Sequence, residues 1–190
     1  MRLIVPLLIL AATPLIAGCD RQKAEEPQAP VAESQSVKGV DRSHKGEAAP
    51  AAKFKNPDGG DFDLAKLRGT PVLVNLWASW CAPCIKELPT LHQLEQAQAD
   101  EGRLGIIAVS QDTGPQGSVE AFLAERDIGR FAGYHDPDMN LTSALNVQVM
   151  PTTILYDAGG KEVWRYVGDL DWTSAEAAKL LAELGAPKSG

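Results

Sequence analysis

With 190 residues, 44% of them hydrophobic, the chain is long enough for one ordinary domain plus an appendage, and apolar enough to bury a real core. Its 18 basic residues against 25 acidic ones give a formal charge of −7. No basic stripe with interleaved aromatics is present to neutralise phosphates, which argues against nucleic acid as a partner.

The chain opens on a targeting segment rather than on a fold. MRLIVPLLILAATPLIAGC has one early cation (Arg2), an apolar run over residues 3–12 and small residues ahead of Cys19. That is a secretory signal over residues 1–18, too short to count as a spanning helix. Ile16-Ala17-Gly18-Cys19 resembles the lipobox of bacterial lipoproteins, in which the cysteine is acylated and becomes the new N-terminus. The resemblance implies a lipid anchor at Cys19. Asp20, which follows it, favours retention in the inner membrane in enteric bacteria. The alternatives are a secreted protein with a free Cys19 and an uncleaved anchor, the latter interrupted by Pro6 and Pro14. Each places the remainder outside the cytoplasmic membrane, periplasmic or on the extracytoplasmic face, where disulfides persist.

Residues 19–50 change composition abruptly: no aromatic residue, few apolar ones, and Pro, Glu, Ser, Gln and Lys in their place. Such a stretch buries too little surface to offset its chain entropy and reads as a disordered tether, with His44 a solvated side chain within it. A flexible chain of about 30 residues spans roughly 30 Å, enough to hold a domain clear of lipid head groups.

Residues 51–190 read as one alternating α/β domain. FKNPDGGDFDL predicts a hairpin turning at Asp58-Gly59-Gly60, between Phe54 and Phe62. TPVLVNLWAS is a near-continuous apolar run of the kind found in a strand covered on both faces. From residue 81 to about 99, Ile85, Leu88, Leu91, Leu94 and Ala97 recur at helical spacing. LGIIAVS at 104–110 predicts a second buried strand, with helices over 116–128 and 139–146 after it. TTILYD, the turn at 158–160 and KEVWRYVG form a second hairpin. A helix over 173–184, capped by Thr173 or Ser174 and ended by Gly185, closes the chain.

The chemistry concentrates in WASWCAPC at 77–84. A structural zinc site needs four ligands, commonly two separated pairs, and there is one CxxC with no second pair; His92 and His135 lack ligand spacing. A static disulfide closing so small a loop stabilises little. Reactivity remains. A strand ending near Trp80 and a helix beginning at Cys81 set the first sulfur at a helix N-terminus, where free backbone N–H groups and the helix dipole favour a thiolate. Pro83 suits the first turn, where its missing N–H loses nothing. Cys84 sits a turn further in, so Cys81 attacks and Cys84 resolves the mixed disulfide.

VLVNLWASWCAPCIKELP, with Pro89 five residues beyond Cys84 and Met150-Pro151-Thr152 ahead of a strand, resembles the TlpA/ResA-like branch of the thioredoxin superfamily over residues 50–188. That resemblance implies a central mixed sheet flanked by helices with an added N-terminal β-hairpin, and a thiol:disulfide oxidoreductase. Such proteins serve mainly to keep the cysteines of apocytochrome c or of copper-site proteins reduced. It implies that Pro151 is cis and helps dock substrate, that Met150 lies against the sulfurs, and that Trp80 covers one side of the dithiol. Asn75 occupies the position where thioredoxins proper carry a buried acid. Glu87 matches an active-site glutamate of the ResA-like branch, able to raise the thiol pKa values and relay the proton of Cys84; otherwise it is a solvated helix residue beside Lys86. Pro89 is expected to kink its helix in a packing role, and Trp77, Trp164 and Trp172 to pack.

No nucleotide or flavin fingerprint is present, so a cofactor is not expected and electrons must come from a membrane partner; the family implies a DsbD- or CcdA-like transporter acting on a monomer. Two other functions stay open at this point. One is an oxidant or isomerase, because Ala82-Pro83 does not decide the direction of electron flow. The other is a copper chaperone of the Sco type using Cys81, Cys84 and His135, although such proteins space their cysteines by three residues rather than two.

Overall fold

The computed structural model describes residues 38–99 and 101–184, so the signal segment, the lipidation position Cys19 and the first part of the tether lie outside the described residues. In chain order the elements are β1 (Gly39–Asp41), β2 (Lys53–Lys55), β3 (Asp61–Asp63), β4 (Val72–Trp77), α1 (Ala82–Ala99), β5 (Gly105–Ser110) and α2 (Gln116–Ala124). They continue with β6 (Tyr134–His135), α3 (Asn140–Ala144), β7 (Thr152–Tyr156), β8 (Glu162–Val167) and α4 (Ala175–Leu181). The strands form one mixed sheet in the order β1-β8-β7-β4-β5-β6-β2-β3. β5 runs parallel to both of its neighbours, β4 and β6, and every other pair is antiparallel.

β4 is buried at all six positions, as its apolar run predicts. The period of two divides it between two cores. Leu73 and Trp77 join Leu88 and Leu91 of α1, Val119 and Leu123 of α2, and Ala177 and Leu180 of α4 on one face. Val72, Val74 and Leu76 join Leu141 of α3 and Phe54 of β2 on the other. Asn75 is the polar exception in this strand, and its parity with Leu73 and Trp77 aims it at α1. That register carries much of the site.

The N-terminal hairpin forms as expected: Phe54 lies opposite Phe62, and Asn56 Oδ1 accepts from the N–H groups of Asp58 and Gly60 to hold the turn. Phe54, Phe62 and Tyr134 pack in tilted and edge-to-face contacts with centroids 5.2 to 6.0 Å apart, which seats the hairpin on β6.

Residues 38–50, expected as the end of a disordered tether, are instead part of the folded domain. Gly39–Asp41 pairs with β8 as an edge strand, and the chain continues along the same edge through Gly46 N–H to the Glu162 carbonyl (2.8 Å) and Ala49 N–H to the Gly160 carbonyl (3.0 Å). Arg42 pairs with Glu183 and Lys38 with Asp169. Edge pairing draws on backbone groups that every sequence owns, so a stretch poor in apolar residues joins the sheet without burying much side-chain surface. His44 is accordingly half-buried, 3.1 Å from Glu47. α2 ends at Ala124, four residues earlier than its apolar spacing suggests, because Asp127 turns left-handed (φ 53°) and the Ile128 N–H closes back onto the Leu123 carbonyl at 3.1 Å. Ser174 is the cap of α4, its hydroxyl accepting from Ala177 N–H. Pro89 lies exposed on a helix that runs through it, so it does not pack into the core.

Candidate active site

β4 stops at Trp77 and α1 starts at Ala82, and the short turn between them carries the first cysteine. Cys81 is the N-cap of α1: its carbonyl accepts from Ile85 N–H (3.0 Å), while its Sγ accepts from the Cys84 N–H (3.3 Å). A sulfur thus occupies the place usually taken by a serine or aspartate oxygen, at the positive end of the helix dipole. Cys81 and Cys84 are joined as a disulfide with Cα atoms 5.2 Å apart. Cys84 is 1% exposed and Cys81 6%, so the first sulfur is the outer one. Trp80 stands beside it at 65% exposure, the one large hydrophobic side chain left in solvent among the described residues. Ala82 and Pro83 are exposed on the same turn.

Glu87 lies three residues beyond Cys84, on the next turn of α1, and is 3% exposed. It is therefore not the solvated helix glutamate that its neighbour Lys86 suggests. Its Oε1 accepts from Asn75 Nδ2 (2.8 Å), from the Trp172 indole N–H (2.8 Å) and, at 3.5 Å, from the Thr153 hydroxyl. Its Oε2 accepts from the Leu170 N–H at 3.2 Å. Burial pushes the carboxyl up to about 7, against the pull of those donors, which favour the charged form, and with the help of nearby Asp169. Asn75, the neutral residue in the usual acid position, thereby serves a carboxylate that has moved to the facing helix.

The turn ahead of Cys81 is clamped from β5. Asp112 accepts from Ser79 N–H (3.0 Å), Ser79 Oγ (2.7 Å) and Ser110 Oγ (2.6 Å). Asp112→Ala leaves the Ser79 N–H without its partner and should cost about 2 kcal/mol in a guanidinium melt. A loss under about 0.5 kcal/mol would mean that water replaces the carboxylate there. The carbonyl of Asp112 accepts from His135 Nε2 at 2.7 Å, so that ring nitrogen is already engaged and His135 does not join the cysteines. Among the described residues no three His, Cys, Asp or Glu side chains gather as a metal site.

On the third side, the Met150–Pro151 peptide bond is cis. Pro151 is buried, and Met150 is half-buried against the core cluster that holds both cysteines. The Met150 N–H and C=O have no hydrogen-bond partner among the described residues, while the Pro151 carbonyl accepts from Gly168 N–H (2.8 Å).

The structure therefore sets Pro83, Cys84 and Glu87 on the first turns of α1 with Cys81 as its cap and Trp80 just ahead, while Met150 packs against the cluster that holds both cysteines and Pro151 leads into β7, the strand beside β4. Trp172 does more than the packing expected of it, since its indole is a hydrogen-bond donor to Glu87. Thr153, Ser79 and Asp112 give no signal in the sequence, because their roles rest on contacts across the sheet; Trp77 and Trp164 do pack, both fully buried.

A CxxC disulfide at the N-terminus of the helix that follows a central strand, faced by a cis-proline loop, defines a thioredoxin-fold thiol:disulfide oxidoreductase. Comparison with known proteins agrees: the Redoxin family model matches residues 44–181, and the chain belongs to that family. It is 30% identical over 124 residues to the thiol-disulfide oxidoreductase ResA of Bacillus cereus, a match spanning 65% of this chain and 70% of ResA. With ResA of Halalkalibacterium halodurans it shares 30% identity over 133 residues, 69% and 74% of the two chains. A crystal structure from Chlorobium tepidum, assigned as the thiol:disulfide interchange protein DsbE, is 30% identical and superposes with a TM-score of 0.62 over 74% of this chain and 98% of that one. The TlpA/ResA-like resemblance read from the motifs thus holds, and with it the activity.

Proposed function

We propose that the chain is a reductant of protein disulfides outside the cytoplasm, tethered by a lipid on Cys19 and recharged by a membrane partner of the DsbD or CcdA kind. The observation that carries the direction is the Glu87 carboxyl, buried one turn behind Cys84. A negative charge there disfavours the thiolates and so destabilises the reduced form relative to one with relaxed thiols; DsbA is an oxidant for the opposite reason, because its reduced form is stabilised.

In the forward reaction the Cys81 thiolate attacks one sulfur of the substrate disulfide, and the other substrate sulfur leaves as a thiolate. Cys84 then gives its proton to Glu87 and attacks Cys81 Sγ, which releases the second substrate thiolate and closes the Cys81–Cys84 disulfide. Two electrons have passed to the substrate. The N–H and C=O of Met150, unpaired among the described residues, with Trp80 and Pro83 beside the outer sulfur, support docking of an extended segment of substrate. Apocytochrome c or a copper-site protein is the substrate class, and the protein works as a monomer.

Equilibrating the purified protein in glutathione buffers decides the direction. A potential near −270 mV, roughly that of thioredoxin, is the expected result. A value near about −120 mV would make the protein an oxidant and overturn the proposal.

A further inference from the structure

Five of the seven residues between β8 and α4, GDLDW at 168–172, reach three parts of the site. Gly168 N–H donates to the Pro151 carbonyl at 2.8 Å. Leu170 N–H and the Trp172 indole N–H donate to the two oxygens of Glu87. The backbone N–H of Trp172 donates to Thr90 Oγ1 at 3.2 Å, which fixes the segment further along α1. Asp169 turns outward and takes Lys38 at 2.5 Å and Lys86 at 3.7 Å. The first residue of the segment has φ 91°, which favours glycine at Gly168 and allows the chain to double back toward Pro151.

We propose that Trp172 is a positioning residue for the exchange reaction, its indole N–H fixing which oxygen of Glu87 receives the Cys84 proton, with Asp169 as an opposing lever on the same carboxyl. The inference deepens the reading of Glu87 as the proton acceptor and rests on it. Oε1 already accepts two bonds of 2.8 Å and a longer third one, whereas Oε2 accepts a single amide at 3.2 Å. Indole nitrogen donates and cannot accept. A proton on Oε1 would therefore point at donors, so it goes to Oε2, which keeps acceptor capacity. The S–H bond of Cys84 breaks, an O–H bond forms on Oε2, and the freed thiolate attacks Cys81 Sγ as above. Phenylalanine would keep an aromatic ring in most of the same buried space but offer no donor, which is a physical reason for tryptophan at this position.

The groups that face Glu87 come from each element packed on it. Asn75 of β4 and Thr153 of β7 are neutral donors. Cys81, Cys84 and Lys86 belong to the N-terminal part of α1 and its cap, Asp169 to the β8–α4 segment, and Lys38 to the chain just before β1. The two lysines are exposed and paired to Asp169, so Asp169 is the charge that opposes ionisation of Glu87, and Trp172 is a donor that supports it.

The test is a titration of the reduced full chain, following the glutamate carboxyl carbons by NMR and the pH dependence of thiol alkylation in parallel. Trp172→Phe should raise the Glu87 midpoint by about one pH unit or more, the worth of one donor to a charged group. Asp169→Asn should lower it. In the Glu87→Gln background, Trp172→Phe should leave the alkylation profile where Glu87→Gln alone puts it. If Glu87→Gln changes the profile but Trp172→Phe does not move the midpoint, Trp172 only packs and the inference falls while the Glu87 reading stands. If Glu87→Gln leaves the profile unchanged, the Glu87 reading fails and takes the inference with it. Should Trp172→Phe not fold, Asp169→Asn, at a half-buried and solvent-reachable position, still carries a sign: a midpoint that stays or rises overturns the inference.

Discussion

Cys81→Ser brings disulfide reduction down to background, while Cys84→Ser leaves the first attack intact and fills the protein with mixed disulfides on Cys81. The two outcomes differ because the two sulfurs have different surroundings. Cys81 caps α1 and its Sγ accepts the Cys84 N–H at 3.3 Å, so its thiolate gains a hydrogen bond and the helix dipole before any substrate arrives. Exposed Trp80 and Pro83 flank that sulfur, whereas Cys84 is sealed at 1% exposure and can meet only a sulfur already attached to Cys81. Serine at 81 keeps the cap oxygen and the fold but not the nucleophile, since its hydroxyl stays protonated without a neighbouring base. Serine at 84 removes only the resolving attack, so the intermediate accumulates. Incubation with an oxidised model peptide, an acid quench and mass spectrometry under denaturing conditions would read both variants. Adducts on Cys84 in the Cys81→Ser protein would reverse the assignment.

Parts of this site announce themselves in the chain and parts do not, for identifiable reasons. β4 is legible because a strand covered on both faces must be apolar at nearly every position, and VLVNLW is. α1 is legible from its spacing, and the dithiol from the single CxxC placed between the two. β1 and β6 escape notice: one pairs through its backbone at a sheet edge, and the other is two residues long. Glu87 is the instructive case. Its position on α1 is plain, but its burial depends on Asn75, 12 residues earlier, and on Trp172, 85 residues later. Lys86 beside it gives the helix a solvated look, and a local reading has no means of weighing a tryptophan that arrives 85 residues further along the chain. Trp172 is hidden for the same reason, since an indole that packs and an indole that donates to a carboxylate have the same letter.

The oxidised protein should lose about 3 kcal/mol of stability between pH 4.5 and a little above pH 7 through Glu87 alone, because each pH unit separating the folded and unfolded midpoints is worth roughly 1.4 kcal/mol. Burial raises this carboxyl from 4.5 to about 7 in the folded chain. The folded state therefore binds the proton more tightly than the unfolded one, and its advantage is complete below pH 4.5, where both states are protonated. As the pH climbs past 4.5 the unfolded chain ionises first, and the advantage drains away until the folded carboxyl ionises too, near 7. Glu87→Gln keeps the shape without the titration, so its stability should be flat over this interval apart from whatever the other groups contribute. Guanidinium melts of both proteins at matched pH values give the comparison; parallel curves would mean that the carboxyl is not held near 7. The same property that weakens the fold suits the chemistry. A carboxyl that is half protonated at neutral pH can take a proton from a thiol and return it without a large free-energy step, whereas one left at its usual value could not. The Trp172 indole, the Leu170 amide and the Thr153 hydroxyl keep that value from rising further, so the penalty of burial is offset by donors that also orient the group.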